Sequence, residues 1–216
     1  MDKSKPYSKR VESILRELAK LYPNPRSELN FNNPYQLVVA VALSAQCTDK
    51  KVNQVTQHLF KQYPSFVALS KAKLEDVENS IRQVNYYKSK AKNIVRMAKM
   101  VTEQFSGTLP TSHKDLVSLP GVGNKTANVV LSELNIQPAF PVDTHVFRVS
   151  KRLNLSSGEN VKVVEEQLKK KFAPKIWRPL HHWLIFHGRR VCKAQNPNCT
   201  ACTLSKLCTS RTKTKN

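Results

Sequence analysis

The sequence predicts an all-α protein, on three observations. Apolar residues recur at intervals of three and four along most of the chain. No segment shows the apolar–polar alternation that a half-buried strand needs, and Ala139–Val142 is too short to assign. Proline, glycine and asparagine interrupt the helical stretches often, which suits helices joined by short connections.

Val11, Ile14, Leu15, Leu18 and Leu21 share one face of a first helix, which ends before Pro23 and Pro25. Asn33-Pro34 reads as the N-cap and first residue of the next helix. Its Leu37–Leu43 run is apolar on every side, so this helix is expected to be central and buried. Val52, Val55, Leu59 and Phe60 mark a third helix that closes near Tyr63-Pro64. Leu74, Val77 and Ile81 mark a shorter one. Ala91, Ile94, Val95, Ala98, Val101 and Phe105 mark a long one, closed by Gly107 and Pro110. Two short helices are expected on either side of Leu119–Asn124. Further helical patterns cover about 143–153, 161–172 and 180–190. No repeat at solenoid spacing is present.

The chain has 216 residues, 40% of them hydrophobic, which excludes a disordered chain. Its longest apolar run, Leu37–Leu43, is too short to cross a bilayer, so no membrane partner of that kind is expected. Lys and Arg number 36 against 15 Asp and Glu, a formal charge of +21. Folding gains nothing from such self-repulsion, so a polyanionic partner is implied, nucleic acid ahead of an anionic membrane surface. The basic Met1–Arg10 stretch is not followed by an apolar secretory segment. A reducing, cytoplasmic location is therefore expected, with cysteines as thiols or metal ligands. Cys47, alone in an apolar stretch, is expected in the core.

Two of the five glycines, Gly121 and Gly123, fall in Leu119-Pro-Gly-Val-Gly. Helix-compatible residues precede them, and an apolar-faced helix from Lys125 follows. Helix, Gly-x-Gly turn, helix is the layout of a helix-hairpin-helix. Glycine lets the backbone turn tightly and approach a ligand closely. The amides around Gly121, Val122 and Gly123 would then offer an anion site at a positive dipole end, with Leu119 and Val122 anchoring the turn. The plainer alternative is a helical hairpin that merely needed two glycines. The positive charge and Lys125 favour phosphate binding, which positions DNA without reading its sequence.

Lys125 lies in the first turn of its helix, where a cation opposes the macrodipole. A lysine amine in its neutral form is a nucleophile that condenses with a sugar aldehyde. By charge and position alone, a plain phosphate-contacting lysine is the better explanation. Asp143, in Pro141-Val-Asp-Thr-His-Val-Phe-Arg148, reads first as an N-cap. A capping carboxylate held by backbone amides can also stabilise an oxocarbenium-like transition state or orient an attacking amine. Cys192-x6-Cys199-x2-Cys202-x5-Cys208 is a metal-binding pattern. Zinc and a [4Fe–4S] cluster both accept four thiolates. The single Cys-x2-Cys pair tilts toward iron–sulfur. Arg189, Arg190, Lys193 and Lys206 stand nearby in sequence and could hold DNA backbone.

Taken together, Leu119–Ala127, Val142–Arg148, His181-His-Trp-Leu-Ile-Phe-His-Gly188 and the 6-2-5 cysteine spacing resemble the bacterial endonuclease III family, over about residues 8–208. These are DNA glycosylases and AP lyases of the helix-hairpin-helix superfamily. The resemblance implies two helical domains flanking a DNA-binding cleft. One is a six-helix barrel with the hairpin, residues 26–138. The other combines residues 1–25 with 139–216 and carries a [4Fe–4S] cluster on Cys192, Cys199, Cys202 and Cys208. It implies Lys125 and Asp143 as catalytic residues, and a monomer acting on duplex DNA with oxidised pyrimidines or abasic sites. In the bacterial cell it would act at the nucleoid.

Leu43-Ser-Ala-Gln-Cys-Thr-Asp49 resembles the family segment whose glutamine fills the hole left by the flipped base, a role that would fall on Gln46. The second intercalating loop commonly reads Gly-Leu-Tyr before a Lys-Ala pair. Here Val84-Asn-Tyr-Tyr-Lys-Ser-Lys-Ala91 puts Asn85 at the glycine and Tyr86 at the apolar wedge. Asparagine is the non-glycine residue that best tolerates a left-handed backbone, and an aromatic can insert between bases. Two rival readings stand beside this one. An adenine-specific glycosylase of the same superfamily would lack the hairpin lysine and extend well beyond Cys208. A non-catalytic, metal-stapled DNA-binding module would bind without forming an imine.

Overall fold

Every regular element among the described residues, 7–210 of this computed structural model, is helical. Eleven α-helices run in order: α1 (Lys9–Leu21), α2 (Pro34–Leu43), α3 (Asp49–Gln62), α4 (Phe66–Ser70), α5 (Leu74–Ser80), α6 (Tyr87–Gln104), α7 (His113–Ser118), α8 (Asn124–Glu133), α9 (Thr144–Arg152), α10 (Val161–Lys171) and α11 (Pro174–Arg190), before a 3-10 turn at Ser205–Leu207. Their starts follow side-chain capping chemistry. Ser8, Asn33, Thr48, Ser65, Ser112, Asp143 and Asn160 each accept from a backbone amide of the first turn.

The chain forms two compact units. One spans Ser27–Gln137; the other joins the residues up to Arg26 to those from Pro138 onward. Residues 1–6 and 211–216, assigned to the second domain from sequence, lie outside the described residues.

The Ser27–Gln137 unit is built on α2. Tyr35 and all seven residues Leu37–Leu43 are buried, as an apolar surface on every side requires. Helices α3, α6 and α8 pack around it. Helix α6 presents Ala91, Ile94, Ala98 and Val101 to the same core and also packs against α4 and α5. At its far end the Gly107 amide donates to Val101 O at 3.0 Å with a φ of 76°, a left-handed closure suited to glycine. The five-residue α4 carries only Phe66 and Leu69 as core anchors, too few to show periodicity in sequence. Cys47 is only half-buried, packed at the edge of this core rather than within it.

The other unit has its own core, drawn from α1, α9, α10 and α11. Helix α11 starts at Pro174, earlier than the apolar pattern from Leu180 indicates, and runs through Pro179. Pro174 stands in the first turn, where its missing N–H costs nothing. The Trp177 indole bonds back to Phe172 O at 2.7 Å and fixes the entry. A Cβ on Gly188 would lie 3.0 Å from His145 Cβ, so this glycine lets α9 and α11 approach closely. Arg10 ties three distant segments together. Its Nε and Nη2 donate to Leu207 O at 3.0 and 2.7 Å, and Nη2 also donates to Leu153 O at 2.6 Å.

Arg10→Met retains the apolar stem but leaves those carbonyls without their charged donor. We expect it to lower stability by about 2–3 kcal/mol, read from urea unfolding of this unit's tryptophan signal. An unchanged midpoint would refute the clasp.

Candidate nucleic-acid interface and cysteine site

The glycine turn forms between α7 and α8 as the pattern predicts. Leu119 and Val122 are buried, and the Val122 amide donates to Leu119 O at 3.0 Å. The structure thus gives Val122 to the turn: its N–H is already engaged, so it anchors the hairpin rather than offering an amide to a ligand. Gly121 has a φ of 81°, and a Cβ there would meet Asn93 Cβ of α6 at 3.0 Å. Gly123 differs. It is the N-cap of α8, no side chain caps the helix at this point, and an added Cβ would meet nothing within 4 Å. The amino end of α8 therefore faces open space, with its positive dipole end uncovered by any capping side chain. Lys125 lies two residues further on and is exposed.

Gln46 and Tyr86 belong to the same unit, and both are exposed. Each has a left-handed backbone, with φ of 53° and 58°. The expectation that Asn85 would take the left-handed conformation is corrected: Tyr86 takes it, as the residue preceding α6. Asn85 instead donates from Nδ2 to Gln46 O at 2.8 Å.

In the other unit, Asp143 caps α9. Its Oδ1 accepts from the Val146 amide at 2.7 Å, and the residue remains half-exposed. His145, within the first turn, is held below the usual imidazole range by burial, with Asp143 opposing and Arg148 and Arg189 adding to the depression.

Cys192, Cys199, Cys202 and Cys208 line one cavity, shared with Arg152, His187, Pro197 and Asn198. Among the described residues no three His, Cys, Asp or Glu side chains meet at a single-ion position. Burial pushes the Cys202 thiol up; the Leu204 amide opposes this, and the thiols of Cys192, Cys208 and Cys199 add to it. Negative charge on four such sulfurs is self-repelling, so a cationic group among them would relieve a cost built into the loop. Two residues that sequence reasoning did not single out secure this loop. Arg152 Nη1 donates to Lys193 O at 2.6 Å and to Cys192 Sγ at 3.4 Å, and its carbonyl lies 3.3 Å from Cys208 Sγ. Arg148 donates to Cys192 O at 3.1 Å and to Gly188 O at 3.0 Å. Arg148 closes the Val142–Arg148 motif, whereas Arg152 carried no sequence signal beyond the basic excess. Arg190, expected at the cysteines, stacks on Tyr22 and Phe186 instead, 5.5 and 4.9 Å from the ring centroids.

The two glycines should separate cleanly on substitution. Gly121→Ala must hold a left-handed backbone against Asn93, so we expect a loss of about 1–2 kcal/mol in thermal unfolding. Gly123→Ala meets no clash in its extended backbone and incurs only the weaker N-cap preference of alanine, so it should cost less, about 0.5 kcal/mol. Equal effects at both sites would overturn this division of labour.

Comparison with known proteins agrees with this geometry. Residues 39–174 match the family described as HhH-GPD superfamily base excision DNA repair protein. The chain is similar to endonuclease III of Bacillus subtilis (strain 168), with 46% identity over 93% of this chain and 92% of that one. It is similar also to endonuclease III of Escherichia coli (strain K12), with 42% identity over 93% of this chain and 95% of that one. A solved structure of an endonuclease III trapped as a covalent intermediate with DNA superposes with a TM-score of 0.88 at 42% identity, over 94% of this chain and 96% of that one. The chain therefore belongs to the endonuclease III family of base excision repair DNA glycosylases and AP lyases, within the helix-hairpin-helix superfamily.

Proposed function

We propose that this glycosylase and AP lyase removes oxidised pyrimidines from duplex DNA, with Lys125 as nucleophile and Asp143 as its partner, and then cuts the strand 3′ to the site. One observation carries the assignment: an exposed lysine stands two residues past an uncapped glycine helix start with open space in front of it. The likeness to an endonuclease III held covalently on DNA supports a covalent route.

The Gly121 and Gly123 turn and the first amides of α8 hold a backbone phosphate, with Val122 as the buried anchor. The damaged nucleotide leaves the stack, most readily where the lesion already stacks poorly. Gln46 fills the vacated space and Tyr86 wedges the neighbouring step. The Lys125 amine, uncharged at that moment, forms a bond to C1′ as the base departs with its electron pair and gains a proton. The nitrogen gives up a proton, the C1′–O4′ bond breaks as O4′ takes one up, and the resulting protonated imine acidifies C2′. Removal of the C2′ proton then breaks the C3′–O bond. One covalent intermediate thus serves both base removal and strand cleavage. The Asp143 carboxylate, fixed by the Val146 amide, supports the positive charge that develops on the sugar.

Cys192, Cys199, Cys202 and Cys208 would hold a [4Fe–4S] cluster. Four thiols around one cavity suit a group that offers a separate iron to each sulfur. When bound, the cluster supplies a structural staple for the 192–208 loop and leaves the bond changes to Lys125. Its surrounding basic residues add backbone contacts to DNA. The resemblance that assigned residues 26–138 to a hairpin-bearing barrel and the remainder to a cluster domain supports the same division of roles. We place the reaction on the bacterial nucleoid; among the described residues no helix is long and apolar enough to cross a membrane.

Borohydride reduction during turnover of a duplex with one thymine glycol should cross-link protein to DNA. Lys125→Ala should abolish the adduct while DNA is still bound. An adduct that survives in Lys125→Ala would give the chemistry to another amine, and no adduct from the parent would favour a mere binding module. Asp143→Asn keeps a capping oxygen, so we expect a folded protein with base release slowed by at least about 100-fold in single turnover. Parent-like rates would remove Asp143 from the mechanism. Cys199→Ser should cost visible absorbance, stability and DNA affinity before it affects the chemistry. Retained affinity and stability after loss of the metal would defeat the structural role.

A further inference from the structure

Left-handed backbone at a non-glycine residue persists only where its surroundings fix it, and both Gln46 and Tyr86 adopt it. Gln46 sits in a turn that the Cys47 amide closes onto Ser44 O at 3.0 Å, and a further set of contacts to both residues comes from the start of α6 and the residues just before it. Asn85 donates to Gln46 O at 2.8 Å. The Lys90 amide donates to Tyr86 O at 3.0 Å. The Lys90 side chain turns the other way, and its ammonium donates to Leu43 O at 2.8 Å and Ala45 O at 2.6 Å. These carbonyls lie at and just past the C-terminus of α2, where the dipole favours a cation. Lys90 is only 9% exposed. Burial lowers its pKa, with Cys47 opposing, so the placement works against solvation of the ammonium and is compensated by the carbonyl contacts.

We propose that Asn85 and Lys90 are positioning residues that fasten the Gln46 loop to the Tyr86 loop, so that both enter duplex DNA as a single preformed wedge. This rests on the reading of Gln46 as the residue that fills the flipped-out position. The asparagine at the usual glycine position thereby acquires a role: glycine has no side chain to reach Gln46. Ordering both loops before encounter removes an entropic cost that would otherwise fall on the binding step. That cost arises only in a duplex, where the sugar must leave a stacked strand and a partner base is left unopposed. A single strand presents no orphaned partner base and no gap to fill.

The test compares β-elimination by the full-length protein on an abasic site in a duplex and on the same strand alone. Asn85→Ala and Lys90→Met should each lower the duplex kcat/KM by about tenfold, while the single-strand rate stays within about twofold of the parent. With 2-aminopurine opposite the site, both variants should lose the fluorescence change that reports displacement of the orphaned base. Asn85→Ala combined with Gln46→Ala should be no slower on duplex than Gln46→Ala alone, because the effect of Asn85 passes through that loop. Parallel losses on both substrates, or additive losses in the double variant, would overturn the proposal. Asn85 is on the surface, so its variant keeps the question open even if Lys90→Met fails to fold. A parent-like Gln46→Ala enzyme would sink the hole-filling reading and the wedge with it. A slowed Gln46→Ala beside a parent-like Asn85→Ala would sink the wedge alone.

Discussion

A buried ammonium at the end of the most apolar helix organises the Ser27–Gln137 unit. Helix α2 can be surrounded on every side because it carries no polar face, but its terminal carbonyls still need donors. Lys90 reaches two carbonyls there, at Leu43 and Ala45, from α6. This contact fixes the exit from α2, and so the place where Gln46 emerges. The same helix α6 meets the glycine hairpin through Asn93 at Gly121. The hairpin, the Gln46 loop and the Tyr86 loop are thus all referred to α6, a long rigid element. Under the proposed function, groups that grip a phosphate and displace a base gain from that shared reference, since positional error is what preorganisation removes.

The second unit solves a different problem. Its cysteine loop carries little apolar surface and no regular structure beyond one 3-10 turn. Arginine guanidinium groups take over the work that packing does elsewhere. Arg10, Arg148 and Arg152 donate to carbonyls at Leu207, Cys192 and Lys193 respectively, each a charge-assisted bond to backbone. Part of the basic excess therefore serves the protein's own loop rather than DNA. His187, held down to about 4 by burial, remains neutral, with Nδ1 3.3 Å from the Tyr22 hydroxyl and Nε2 3.5 Å from Cys202 Sγ.

The division between the glycines follows the same economy of contacts. Gly121 is required by the fold itself, through its backbone angle and its neighbour. Gly123 is free of both demands and stands as the N-cap of α8. Val122 between them is committed to the core. A motif of five residues thus contains one residue for the turn, Gly121, and two buried anchors, Leu119 and Val122.

Periodicity, capping residues and turn glycines are local properties, so the sequence by itself determined the helical class, the burial of α2, the hairpin, the N-cap role of Asp143 and the clustering of four cysteines. The resemblance carried by its motifs extended this to the family. It did not determine α4, whose two core anchors are too few to form a pattern, or the start of α11, where Pro179 masks a continuing helix. Only the tertiary structure decided the contacts between residues far apart in the chain. Asn85 meets Gln46 39 positions away, Lys90 meets Ala45 45 positions away, and Arg10 meets Leu207 197 positions away. Such bonds depend on where a folded backbone places a carbonyl. A carbonyl is present at every residue, so nothing in the order of side chains marks the one that will be used.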